Sequence, residues 1–205
     1  MGRTIKRMLD MAICLAALVV LSPLMITVAL LILATDGAPV LFRQERAGYK
    51  GQPFTLHKFR SMSNELGPDG VPLPDSERIT PLGRFLRRTS IDELPQLWNV
   101  LRGDMSLIGP RPLLVEYLPC YSERELMRHS VRPGMTGLAQ VSGRNTLLWD
   151  DRLELDVQYV ENWTLWLDFK ILLRTVGNVL AREGVIDVPD TAQGLLTQYR
   201  QRRLP

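Results

Sequence analysis

Cysteine and histidine are scarce in this chain, two of each in 205 residues. Cys14 lies in an apolar run and Cys120 in a mixed segment, without pairing or metal-ligand spacing. A disulfide framework is therefore excluded, and a reduced compartment is the default. His57 and His129 are isolated, which leaves no zinc pattern and no support for a serine-histidine triad. There is no Walker-type loop, no Rossmann glycine pattern and no internal repeat. The length fits one domain, or one domain with an appendage, and is enough for an ordinary core. The net charge is only slightly positive, at +3, and arginine far outnumbers lysine. That bias suits bidentate contacts to oxyanions; a genomic composition preference would produce it too.

What is present begins with an uncharged run from Met11 to Thr35, preceded by Arg3, Lys6 and Arg7. At about 25 residues it is long enough to cross a bilayer as a helix. It is long for the apolar part of a signal peptide, and no small-residue cleavage site follows. Ser22-Pro23 falls near its middle, where proline breaks the hydrogen-bond ladder and serine can bond back to the freed carbonyls. Both flanks are basic, with Arg43, Arg46, Lys50, Lys58 and Arg60 on the far side, so the positive-inside tendency puts both ends in the cytoplasm. A helix that bends at Ser22-Pro23 and leaves on the face where it began satisfies both facts. A proline-kinked spanning helix is the alternative. Asp10 is expected at headgroup depth.

Beyond the membrane segment, residues 39–44 and 54–59 read as two short strands around the turn Ala47–Gly51, a small hairpin. Asn64 to Thr80 reads as a long loop, and Leu82 to Arg88 as a short helix with Arg84, Arg87 and Arg88 on one face. Then come Asp92 and Glu93. Adjacent carboxylates can attack phosphorus, hold a divalent metal or move protons, and arginines fork onto phosphate oxygens. The structural alternative is a capping box from Ser90 to Glu93, although Pro95 fits that helix poorly. Leu94, Leu97, Trp98 and Leu101 form an apolar stripe ended by Gly103. Pro110 and Pro112 fix the backbone around Arg111, a second candidate anion ligand, and Arg144 is a third. Tyr117–Ser130 reads as helical and Leu138–Val141 as a strand. From Trp149 to about Arg182 the pattern is helical, facing either the core or, through its tryptophans, the membrane surface. The residues from Gly184 read as a loosely ordered tail.

With these stretches in place, the chain resembles the bacterial sugar transferases, the monotopic phosphoglycosyl transferases of the PglC type. The resemblance rests on Lys58-Phe59-Arg60-Ser61-Met62, Ser90-Ile91-Asp92-Glu93-Leu94-Pro95-Gln96-Leu97, Gly109-Pro110-Arg111-Pro112, Arg132-Pro133-Gly134 and Gly143-Arg144-Asn145. It implies an α+β, mainly helical fold: a re-entrant membrane helix over 1–36 broken at Ser22-Pro23, a catalytic domain over 37–184, and a tail over 185–205. That domain would hold the short β-hairpin and surface-lying amphipathic helices, on the cytoplasmic face of the bacterial inner membrane. The implied reaction transfers a phospho-sugar from a UDP-sugar to polyprenol phosphate and releases UMP. Asp92 would be the nucleophile, with Glu93 beside it, Mg2+ on this pair, and Lys58, Arg87, Arg111 and Arg144 around the substrate. The partners are then the donor, the lipid phosphate and the bilayer; nucleic acid is not among them, and homo-oligomerisation is left open. The size matches relatives made of the catalytic core alone. Residues after Arg144-Asn145 depart from the aromatic cluster of relatives that use diacetylated bacillosamine. An N-acetylated UDP-hexosamine derivative is the first expectation for the donor, and UDP-galactose or UDP-glucose the second.

Overall fold

A computed structural model describes residues 2–71, 73–143, 147–181 and 195–201. The chain opens with α1, Gly2–Thr35, one helix that continues past Ser22-Pro23 instead of breaking there as expected. Proline cannot donate to the carbonyl four residues back, that of Val19; Ser22 Oγ donates to it instead at 2.8 Å. The predicted hairpin forms from β1, Leu41–Ala47, and β2, Pro53–Phe59, antiparallel with Leu41 opposite Phe59 and Ala47 opposite Pro53. Its turn uses left-handed backbone at Lys50 and Gly51.

Two short helices follow, α2 (Asp75–Arg78) and α3 (Pro81–Arg88). Thr80 caps α3 by accepting from the Gly83 amide, with Pro81 in the first turn where no donor is needed. Helix α4, Gln96–Arg102, ends at left-handed Gly103. A second, parallel pair joins β3, Ser106–Ile108, to β4, Gly134–Thr136. Between them lies α5, Glu123–Leu126, started by a complete capping box of Ser122 and Glu125. The rest is α6 (Leu138–Ser142), α7 (Trp149–Glu161), α8 (Leu165–Ala181) and α9 (Leu196–Gln201).

Both halves of α1 pack on the domain, although most of its apolar side chains are exposed. Cys14 shares a core with Leu56, Leu97, Val100 and Met105, and Val28 and Ile32 share another with Phe59 and Leu86. Polar contacts tie down each end. Lys6 Nζ lies 2.8 Å from Asp168, and Arg7 donates to the carbonyls of Val100 and Leu101 at the C-terminal end of α4. Asp10 is turned inward onto the domain: it is buried and accepts from Ser106 Oγ at 2.6 Å. At the other end, the buried Arg60 guanidinium donates to the carbonyls of Asp36, Gly37 and Ala38.

Three expectations are revised. Leu138–Val141 is helical, because the strand lies just before it; Leu138 and Val141, three apart, lie on one face against the Tyr159 and Ile171 core. The long helical stretch is two helices, since Thr164 Oγ1 accepts from the Leu167 amide and starts α8 afresh. In the tail, α9 docks: Leu196 is fully buried against Leu113, Tyr117, Trp149 and Leu153, and Arg200 pairs with Glu125 and Asp150. Residues 182–194 lie outside the described ones.

Helix α8 is apolar on two sides. Ile171 is buried in the core, whereas Trp166, Phe169, Leu173 and Val176 form an exposed stripe at three- and four-residue spacing. Trp166 stacks on Phe169, and Lys170 lies over the Trp166 ring.

Gly83 sets how closely α3 approaches the end of β2, since a Cβ there would lie 1.9 Å from the Ser61 carbonyl oxygen. Gly83→Ala must push α3 away and is expected to cost about 1–3 kcal/mol. Thermal unfolding in detergent measures this, and an unchanged midpoint would contradict the packing argument.

Candidate active site

The segment between α3 and α4 is short and heavily constrained. Ser90 adopts the left-handed conformation, φ 57°, and makes no side-chain cap. The capping box is therefore not formed. Pro95 is the reason: in a helix capped by Ser90 it would be the fifth residue, past the first turn, where an amide must donate to the Ile91 carbonyl, so α4 begins only after it, at Gln96. Ile91–Glu93 form a single tight 3-10 turn instead. Ile91 packs toward the Val28–Phe59 core and Leu94 toward the Cys14–Leu97 core. Apolar anchors on both sides thus hold Asp92 and Glu93.

Strand alternation brings the first cation. Phe59 points into the core, and its neighbour Lys58 reaches Glu93 Oε1 at 2.6 Å. Arg111, from the loop after β3, donates to the same oxygen at 3.1 Å. Arg87, at the end of α3, donates through Nε to Ser61 Oγ at 2.9 Å. The structure therefore brings Lys58, Arg87, Asp92, Glu93 and Arg111 together around one cavity of about 1490 Å3. Arg144 lies outside the described residues. Arg128 and Arg152 also line the cavity, along with Arg43, Arg46 and Arg60. Sequence reasoning had singled out none of these as ligands. Arg60 carried a signal, belonging to the Lys58–Met62 motif; Arg128 and Arg152 carried none, because only tertiary structure brings them to the cavity. Apolar residues including Leu107, Met135 and Leu172 line the same cavity.

The two carboxylates are not equivalent. Burial raises the Glu93 pKa, but the charges of Lys58 and Arg111 and their hydrogen bonds outweigh this and hold it down at about 2. Asp92 is only 7% exposed, and among the described residues none donates a hydrogen bond to its carboxylate. Burial pushes Asp92 up to about 6, against the pull of Lys58 and with the help of the Glu93 charge. The cations favour an ionised Asp92, but desolvation confines that form to pH above about 6.

The two shifts act oppositely on stability. Asp92, raised from 3.8, contributes stability that is complete below that value and lost as pH rises through about 6. Glu93, lowered from 4.5, contributes stability present above that value and lost as pH falls through about 2.

Each neighbour should move the Asp92 titration in a known direction. Glu93→Gln removes a like charge and should lower the midpoint; Lys58→Met removes the strongest opposing charge and should raise it. Carbon-13 carboxyl shifts followed against pH give both midpoints. Shifts in the reverse sense would refute this electrostatic picture.

The chain matches the bacterial sugar transferase family over residues 1–182. It is 49% identical over 181 residues to a protein named "uncharacterized sugar transferase EpsL" from Bacillus subtilis strain 168, covering 88% of this chain and 90% of that one. It is 43% identical to the undecaprenyl-phosphate galactose phosphotransferase of Salmonella typhimurium, over 89% of this chain and 42% of that protein. Identity is 44% to the UDP-glucose:undecaprenyl-phosphate glucose-1-phosphate transferase of Caulobacter vibrioides, over 87% and 70%. The chain thus spans nearly all of the Bacillus relative and less than half of the Salmonella one. Over that whole span, which includes the long apolar helix and the paired acids, the chain belongs to the bacterial sugar transferase family.

Proposed function

We propose that this protein transfers a hexose phosphate from a UDP-sugar to polyprenol phosphate, releasing UMP and leaving a polyprenyl-diphosphate sugar. The observation that carries the reading is the division of labour between the two acids. Glu93 is neutralised by Lys58 and Arg111, while the Asp92 carboxylate, which accepts no hydrogen bond among the described residues, sits in a cation-lined cavity. Relatives whose names specify a sugar handle galactose or glucose, so UDP-galactose or UDP-glucose replaces the N-acetylated hexosamine as the first expectation. The product would serve the first membrane step of polysaccharide assembly.

In the first half-reaction a carboxylate oxygen of Asp92 attacks the sugar-linked phosphorus. The bond from that phosphorus to the bridging oxygen breaks, and UMP leaves with the electron pair. In the second, a phosphate oxygen of the lipid attacks the same phosphorus and Asp92 departs as carboxylate. This covalent route splits one transfer into two and gives ping-pong kinetics. Arg87, Arg111 and Lys58 offset the charge of the diphosphate, Arg111 and Lys58 being held in place by Glu93. Arg144 belongs with them on the resemblance of its motif.

The residues present fit a Mg2+ ion. Among the described residues no cluster of three or more acids or other ligands forms a cage, but this ion needs only one or two carboxylates plus substrate phosphates. The unbonded Asp92 carboxylate and the second oxygen of Glu93 would supply them, and the ion would withdraw charge from the diphosphate oxygens.

Membrane attachment supports the same reading. Both ends of α1 are tied to one domain, which favours a re-entrant placement over a simple spanning anchor, and the basic residues on both flanks favour the cytoplasmic face. The exposed Trp166–Val176 stripe suits a helix lying in the headgroup zone. A non-catalytic membrane adaptor would need the lipid-facing surfaces but neither the cavity nor the paired acids.

With Mg2+, polyprenol phosphate and UDP-galactose or UDP-glucose, purified protein should release UMP. Asp92→Asn should cut that release by about 1,000-fold or more, and near-normal turnover would rule out the nucleophile assignment. For the wild type, kcat/KM should climb with unit slope up to about pH 6 and then level, as Asp92 ionises. A rate independent of pH from 5 to 7 would contradict the burial-raised titration of Asp92 and put its ionisation below that range.

A further inference from the structure

The Pro110-Arg111-Pro112 segment poses an anchoring problem. Neither proline has an amide proton, so the segment is fixed chiefly through its carbonyl oxygens. The Pro110 carbonyl accepts from the Gly134 amide at 2.9 Å, and the Leu113 carbonyl from the Ala47 amide at 2.9 Å. The Arg111 carbonyl, between them, is held by a side chain: Arg128 donates to it through a terminal nitrogen at 2.7 Å.

Arg128 is itself immobilised. Its Nε and the same terminal nitrogen reach one oxygen of Asp156 at 3.1 and 2.7 Å, and its other terminal nitrogen reaches the Tyr121 hydroxyl at 3.2 Å. The side chains of Arg128 and Asp156 are only 1% and 2% exposed. A buried ion pair is poor evidence for stability, because desolvation offsets most of the attraction. Its geometry is specific, however. A rigid fork bonds three separate groups at once, which a lysine ammonium on its flexible stem cannot reproduce.

We infer that Arg128, oriented by Asp156, is a positioning residue that fixes the backbone of Arg111 and thereby aims the Arg111 guanidinium at Glu93 and the donor phosphates. The inference rests on the proposed transfer reaction for the identity of those phosphates. Arg128 acts through another residue, so removing that residue must remove its effect. A double-mutant cycle tests this requirement.

The cycle comprises wild type, Arg128→Lys, Arg111→Ala and the double variant, each checked for a cooperative thermal transition. It is read both as kcat/KM for UMP release and as UDP affinity by calorimetry. Arg128→Lys should lower kcat/KM by about 30-fold, the scale of a small misplacement of a binding group. In the Arg111→Ala background the same change should cost no more than about 3-fold. Asp156→Asn, which keeps an acceptor and drops the charge, should follow Arg128→Lys with a smaller loss, and it takes the place of Arg128→Lys if that variant does not fold. Equal losses in both backgrounds would overturn the inference, showing that Arg128 acts independently of Arg111. So would an Arg111→Ala variant unchanged in both readouts. Wild-type protein that releases no UMP from any UDP-sugar would sink the proposed reaction alone, and the cycle would then be decided on UDP affinity.

Discussion

Two neighbouring acids compete for the same cations, and Glu93 takes both direct contacts. Lys58 and Arg111 converge on one of its oxygens, which leaves Asp92 in a nearly sealed position with only through-space help. A carboxylate wrapped in hydrogen bonds is a poor nucleophile; one that burial has left unsatisfied is a better one. The asymmetry arises from backbone shape. Pro95 keeps the segment out of a regular helix, Ser90 turns left-handed, and a 3-10 turn sends two consecutive side chains to different surroundings.

The same strand serves both the membrane segment and the chemistry. Along β2 and just past it, Leu56 packs in the core that includes Cys14, and Phe59 in the core that includes Ile32. Lys58 pairs with Glu93, Arg60 gathers the carbonyls where α1 ends, and Ser61 receives Arg87. These five residues therefore fix the position of the acids relative to α1. Alternation makes this possible, because neighbouring side chains on a strand face opposite ways.

How much of this was readable beforehand depends on the range of the interaction. The hairpin, the long apolar helix and α3 follow from local periodicity and turn residues, and their boundaries shift by only a few positions. Asp92, Glu93, Lys58, Arg87 and Arg111 were legible as reactive types in distinctive company, though periodicity alone could not bring them together. Local signals misled where two patterns fit. Ser90 with Glu93 spells a capping box, and Leu138–Val141 spells a strand as well as a helix. The Arg128–Asp156 pair, 28 residues apart, had no local signature at all. Asp10 behaved likewise, since its partner Ser106 is 96 positions away.

The docked end of the chain alters where the functional unit stops. Leu196 completes a core with Leu113, Tyr117 and Trp149, and its neighbour Leu195 lines the reaction cavity. The family match, by contrast, finishes at residue 182. Shortening the protein to that limit would uncover an oily socket beside the Arg111 loop and flood the donor side with solvent. The folded unit therefore extends past the family match, through α9.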